Sequence, residues 1–246
     1  MDLSSELNVK HIGETWKFEI DIEGHFDRSQ WQYTTDAGVD TTELSQVENY
    51  DMEVSVAYAL SNHWSLGFFG ELGSNSYDNI TWKITAHPAI EYNIFPYSES
   101  TEHQLRLEYA VIPTYRRYID ETVYLKTEEY LLNHALALRT EGIYHWGSVD
   151  AGARAHFYQQ DVSKRRLGIY GHLSLRIFRG LSLDLRGDYW QVRDQLHLPA
   201  DNADIADIIT QRQDIATSFE YRFHLGINYT FGSIYRSTVN ARFGSF

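Results

Sequence analysis

Apolar and polar residues alternate with a period of two over stretches that outrun an ordinary soluble strand, which is usually about 5 to 6 residues long. From residue 16, Trp16, Phe18, Ile20, Ile22, Gly24 and Phe26 share one face, and Lys17, Glu19, Asp21, Glu23, His25 and Asp27 share the other. Residues 80–94 repeat the pattern, with Pro88 in register. Proline normally confines a strand to an edge, so a local bulge or kink is expected there. The cleanest run is Phe219, Tyr221, Phe223, Leu225, Ile227, Tyr229 and Phe231. The alternation predicts ten strands, near residues 16–32, 51–60, 64–74, 80–95, 103–117, 128–140, 147–158, 166–178, 181–192 and 217–231.

The connections sort by length. Short ones fall at residues 61–63, 96–102, 141–146 and 179–180, and longer polar ones at 33–50, 118–127, 159–165 and 193–216, with 75–79 a modest member. Transmembrane β-barrels have short periplasmic turns, longer extracellular loops and strands of about 10 residues with apolar side chains outside. The expected fold is therefore all-β: a transmembrane antiparallel up-and-down barrel of ten strands. In a bilayer only a closed sheet satisfies every backbone group, so closure is expected as well.

Composition fits this picture. The chain has 246 residues with 12 Phe, 18 Tyr and 6 Trp, a surplus suited to interfaces that are apolar at one depth and wet at another. Trp16, Trp64, Trp146, Phe95, Phe178 and Phe231 lie beside short turns and are expected to form the inner aromatic girdle. Tyr33, Tyr50, Tyr77, Tyr115, Tyr118, Tyr130, Tyr158 and Tyr189 lie near the long loops and are expected to form the outer one. No run approaches the roughly 18 to 20 apolar residues of a spanning helix. The chain has no cysteine, which removes disulfides, thiolate nucleophiles and cysteine zinc sites together. A net charge of −13 argues against a nucleic-acid partner.

The stretch His224, Leu225, Gly226, Ile227, Asn228, Tyr229, Thr230, Phe231 resembles the insertion signal of Gram-negative outer-membrane proteins: a polar residue, a glycine, then two aromatics spaced by one. The resemblance implies that His224, Gly226, Tyr229 and Phe231 mark the last strand. It also implies the barrel-assembly machinery as a partner during insertion, an outer-membrane location, and outer-membrane lipid and lipopolysaccharide as surroundings. Residues 89–100 and 229–235 further resemble passages in a family of uncharacterised bacterial outer-membrane barrels, a likeness that implies a fold and a location but no activity. Parity agrees, because ten strands over residues 16–231 leave both ends in the periplasm. Residues 1–15 are then a periplasmic segment or, over Leu3 to His11, the remnant of an upstream strand, which leaves twelve strands open in a longer protein. No signal peptide precedes them, as expected of a mature or barrel-only form. Residues 232–246 form a periplasmic tail, a possible contact for a periplasmic partner.

With the polar faces inside, ten basic residues oppose twelve acidic ones. Lys17 and Glu19, Lys83, Arg106 and Glu108, Arg154, Arg176, Asp184 and Arg186, and Glu220 and Arg222 are expected to form ion pairs across the lumen. An unpaired charge in a narrow lumen is costly, and a barrel of this strand number is barely wide enough for side chains. These positions predict a charge-paired, largely plugged interior and a structural, anchoring or surface-binding protein. One rival is a narrow channel for small solutes. The other is a surface hydrolase resembling the omptin proteases, using His25, Asp27, His156, Asp188 and Glu220 on the upper inner wall, where a histidine beside a carboxylate can activate water. None of the omptin motifs matches residue by residue. His134 is the outstanding histidine on the lipid side, and no serine stands beside it. The acidic loops, 36–51 and 193–216, match no calcium-loop spacing, and Asp201 to Ile209 suits a short amphipathic helical turn. No cofactor or metal is expected.

Overall fold

The computed structural model describes residues 1–34, 40–200 and 216–230. Eleven strands, joined in chain order, make one antiparallel sheet. They are β1 (Asp2–Ile12), β2 (Trp16–Thr34), β3 (Asp40–Ala59), β4 (Trp64–Asn75), β5 (Ile80–Asn93), β6 (His103–Tyr118), β7 (Glu128–Tyr144), β8 (Gly147–Tyr158), β9 (Arg165–Phe178), β10 (Leu181–Val192) and β11 (Phe219–Tyr229). A single 3-10 turn, Tyr97–Glu99, lies between β5 and β6.

Which way each side chain faces follows from the register. On β7, Leu136 and Leu138 stand outside and are 44% and 46% exposed, while Ala135, Ala137 and Arg139, alternating with them, face in. The same rule exposes Phe68 on β4, Ile84 on β5, Leu107 on β6, Ile169 on β9 and Phe223 on β11. Among the described residues only Ile80, Tyr118, Leu131, Tyr158, Val192 and Leu196 are buried hydrophobics. A soluble sandwich hides its apolar faces between two layers; this single layer turns its apolar face outward, as a wall in contact with lipid does.

Several expectations change. The strand count is eleven, because the residues read as a periplasmic segment or remnant pair with β2 throughout, from Asp2↔Asp27 to Ile12↔Lys17. The added strand puts Met1 on the long-loop side, where its ammonium donates to the Arg28 carbonyl at 2.5 Å. Residues 33–34 and 40–50 of the polar stretch are strand, not loop: β2 and β3 continue as a ribbon to Thr34↔Asp40. Of that ribbon, the pairs from Ser29↔Ser45 upward have no third strand, since β1 joins at Asp27, with Met1 reaching Arg28, and β4 at Asn49. No ladder joins β11 to β1 among the described residues, so both outer edges of the sheet stand unpaired there. Phe231, the tail 232–246 and the helical turn expected near residues 201–209 lie outside the described residues.

The inner girdle is present as outward-facing pairs near the short turns: Trp16 with Tyr58 at 4.4 Å, Trp64 with Tyr92 at 4.6 Å, Tyr144 with Trp146 at 5.0 Å and Phe178 with Tyr229 at 6.3 Å. Phe95 instead tucks against His103. Of the outer set, Tyr50, Tyr130 and Tyr189 are exposed, but Tyr118 and Tyr158 are each 4% exposed and face inward. Their even numbers place them on the lumen side of β6 and β8, where the Tyr118 hydroxyl donates to Glu129.

Candidate functional site: two cavities in the lumen

The sheet curls enough for residues of β3, β4, β5, β6, β8 and β9 to line one space. Toward the long loops it is a cavity of about 350 Å³ bounded by Asp51, Glu71, Lys83, Arg116, Arg166 and Asp194. Toward the short turns lies a second, of about 450 Å³, bounded by Lys17, Phe69, His87, Arg106, Arg139 and Arg154 together with Glu91 and Glu108. His156 lines both and marks where they meet.

One rung of the ladder explains the lower space. Reading around the wall, Ala57 pairs with Gly67, Gly67 with Ala89, Ala89 with Ala110, Ala110 with Ala135 and Ala135 with His156. Five successive small side chains leave the interior unfilled at this level. The sequence reading missed them because it weighed the polar faces by their charges; the signal available was Ala or Gly recurring at inward positions of β3 to β7.

The charged residues do pair, but along the wall. Glu19 receives Lys17 at 3.0 Å and Lys10 at 3.1 Å. Lys83 meets Glu71 on the next strand. Arg106 lies between Glu141 at 2.5 Å and Glu91 at 3.6 Å, and Arg139 meets Glu108 at 3.1 Å. Arg222 meets Asp188 at 3.1 Å, and Asp184 has His172 at 3.9 Å. Among the described residues each such pair joins one strand to itself, to its neighbour or to the segment that follows. Pairing across the lumen, as expected from the sequence, would have drawn the walls' side chains into the centre; lateral pairing leaves the centre open. Arg154, Arg176, Arg186 and Glu220 make no ion pair among the described residues.

The outer end is capped. Asn79 sits in the left-handed region, φ 58, and is 3% exposed. Its amide donates to the carbonyls of Asp120 at 3.0 Å and His197 at 2.9 Å, and its side-chain oxygen accepts from the Asp120 N–H at 2.8 Å. Val123 N–H donates to the Leu198 carbonyl at 2.9 Å, and Thr122 bridges to Pro199. Three connections are thus tied over the upper cavity. Beneath them Leu131, Tyr158 and Leu196 form a small apolar cluster.

The inner end is furnished by the turn after β5. Tyr97 donates to Glu91 at 2.5 Å and accepts from the Ser65 hydroxyl at 3.0 Å. Burial, and then the hydrogen bond to the Glu91 carboxylate, push its phenol up to about 12, so it stays a protonated donor at any ordinary pH.

The five residues of the hydrolase reading are not brought together by any contact among the described residues. His25 lies 3.6 Å from Asp2 on β1, Asp27 accepts from Ser29 at 2.5 Å, His156 stands between the two cavities, Asp188 is held by Arg222, and Glu220 faces Trp190 across the β10–β11 ladder. On the outer surface His134 is bonded to Tyr109 at 2.8 Å and Gln159 at 3.2 Å and stacked on Phe157, a structural setting. His224, Gly226 and Tyr229 lie on β11, with His224 opposite Arg186.

No protein-family model matches the chain, and no curated protein sequence does, so sequence comparison adds nothing to the narrower family resemblance. Solved structures do resemble it in part. One is described as the NanC porin, at 9% identity and a TM-score of 0.42 over 94% of this chain and 99% of that one. Another is outer-membrane expressed OmpT of Vibrio cholerae, at 12% identity and a TM-score of 0.38 over 93% of this chain and 56% of that one. At TM-scores below 0.5 these likenesses assign no activity to the present chain.

Proposed function

We propose that this chain is an integral outer-membrane β-barrel whose lumen passes small charged solutes through two charge-lined spaces in series. The observation that carries the reading is the pair of cavities in series, about 350 and 450 Å³, meeting at His156. The outward apolar face supports the membrane setting, and the lateral ion pairs favour a passage over a plugged anchor. The loops tied by Asn79 make the outer mouth a constriction of its own.

Planar-bilayer recording of the purified protein tests this. Small, discrete current steps are expected, well under those of a wide porin, whose open lumen needs about 16 to 18 strands. Ala135→Trp puts a large ring beside His156, on the same rung, and is expected to cut the step size about tenfold or more, since pore diameter governs passage. A silent wild-type bilayer would return the chain to the anchoring reading. Steps unchanged in Ala135→Trp would put the conducting path elsewhere.

A further inference from the structure

We infer that the lower cavity is a binding site for a small organic monocarboxylate with a flat apolar body, and that Arg154 takes its carboxylate. The inference rests on the channel reading only in requiring that solute reach the cavity from the mouth.

The balance of charge comes first. Four permanent cations, Lys17, Arg106, Arg139 and Arg154, line this cavity against two carboxylates, Glu91 and Glu108. The upper cavity has the opposite bias, with Asp51, Glu71, Asp78 and Asp194 against Lys83, Arg116 and Arg166. With Glu19 and Glu141, which pair with Lys17 and Arg106, the lower space comes to four charges of each sign, while the upper one leans acidic, so the lower space is the one that admits an anion.

Three of its four cations are already engaged. Lys17 has Glu19 at 3.0 Å, Arg106 has Glu141 and Glu91, and Arg139 has Glu108. Glu91 also accepts from Tyr97. Arg154 is different: among the described residues it makes no ion pair and no hydrogen bond, and the nearest carboxylate on its rung, Glu108, stands one strand further on, beyond Ala137, and is held by Arg139. Its contact is the Tyr170 ring, 5.3 Å from the guanidinium carbon. Arg154 is half-buried at the cavity wall, and its terminal N–H groups are free to make a charge-assisted pair with an arriving acceptor.

The wall is built to hold Arg154 in this state. Its cross-strand neighbours are Ala137 on one side and Gly168 on the other, and neither can reach it with a polar group. Gly152 and Gly168 leave room for the rings of Tyr170 and Trp190 to lie flat on the wall; a Cβ at either glycine would run into those rings. The guanidinium is thus backed by an aromatic ring, with its N–H groups left for an acceptor.

The ligand class follows from what surrounds that acceptor site. A planar guanidinium matches a carboxylate in bidentate fashion, which a point-charge ammonium does not. Much of the remaining lining is Ala57, Gly67, Ala89, Ala110 and Ala135, which offer no side-chain hydrogen bonds, and the ring of Phe69 stacked on His87 at 5.3 Å. Such a lining suits a flat apolar body and not a polyhydroxylated or multiply charged one. The volume lies within the usual range of small-molecule sites.

The experiment uses the full chain in detergent, with benzoate as the probe and benzamide as its uncharged counterpart, read by titration calorimetry. Saturable benzoate binding is expected, with benzamide at least tenfold weaker, a margin that one charge-assisted bidentate pair supplies. Arg154→Gln is expected to weaken benzoate at least tenfold, and Arg154→Lys to recover part of the loss. Ala137→Glu supplies a carboxylate directly across from Arg154 and is expected to abolish binding while relieving the lone cation, so it remains informative if Arg154→Gln folds poorly. Equal binding of benzoate and benzamide, benzoate binding unchanged in Arg154→Gln or Ala137→Glu, or no benzoate binding at all would each overturn the proposal. Bilayer recording of the same preparations separates the two readings. Binding without current overturns the channel and leaves this site standing; current without binding does the reverse.

Discussion

Replacing Asn79 with alanine is expected to release the outer cap while leaving the strands intact. The residue does three things at once. It adopts φ 58, which asparagine tolerates and alanine does not, and its buried amide and carbonyl make three hydrogen bonds to two other connections. At about 0.5–1.5 kcal/mol for each hydrogen bond, with a backbone cost of about 1 kcal/mol or more besides, the local loss is about 2.5–5.5 kcal/mol. The loss should be local, because the partners are Asp120 and His197 in the connections and not residues of the ladder. Hydrogen exchange is the measurement. Amides around Ile119, Thr122 and Val123, protected in the wild type by Asn79, Lys126 and Leu198, should exchange at least tenfold faster, whereas those of β6 and β7 should not change. Asn79→Gly separates the causes, since glycine keeps the backbone angle and loses only the side-chain bonds. If protection around Thr122 survives in Asn79→Ala, the cap is held by its own backbone bridge and Asn79 is incidental.

Leu136→Arg is expected to be the most damaging single change on the outer wall. Leu136 lies midway along β7, faces out and is 44% exposed. An arginine near the midplane of the lipid-facing wall costs about 2–4 kcal/mol. Ala137→Glu, one residue along, faces the lumen between Arg154 and Glu108 and is expected to cost less than Leu136→Arg, because the repulsion from Glu108 is offset by Arg154 and the site is wet. Urea unfolding of the two variants from lipid vesicles, against the wild type, reads the difference. Equal penalties would mean that the two faces of β7 see the same surroundings, which no lipid-embedded wall allows.

The alternation along the chain made most of this wall legible, since a period of two reports only which side meets lipid. It failed where lipid stops deciding. Above Asp27 the outward positions become Arg28 and Gln30, so the periodic signal fades although β2 runs on to Thr34. On β1 the outward set Leu3, Leu7 and Val9 is interrupted by Ser5, and the strand reads as a remnant. Tyr118 and Tyr158 read as girdle residues by their place near the loops, but the parity of their strands turns them inward. The lumen was legible as a list of charges and not as a space. Charge at Lys17, Arg106 or Glu108 says that a position is wet or paired, whereas the cavity is made by Ala57, Gly67, Ala89, Ala110 and Ala135, whose contribution is volume they do not occupy. Arg154 stood in the sequence as one more lumen cation, because its missing partner follows from Ala137 and Gly168 on the two flanking strands.

The β2–β3 ribbon has a bearing on how the chain can change over generations. From Ser29↔Ser45 to Thr34↔Asp40 the two strands read only each other. At about 3.4 Å per residue this stretch rises roughly 20 Å past the last three-stranded level. Adding or removing two residues on each strand would leave both faces of the sheet in register, since no third strand measures the ribbon's length. The reach of the molecule beyond its cap is in that sense a free variable of the sequence. The lumen below it is fixed by eleven strands that must all agree.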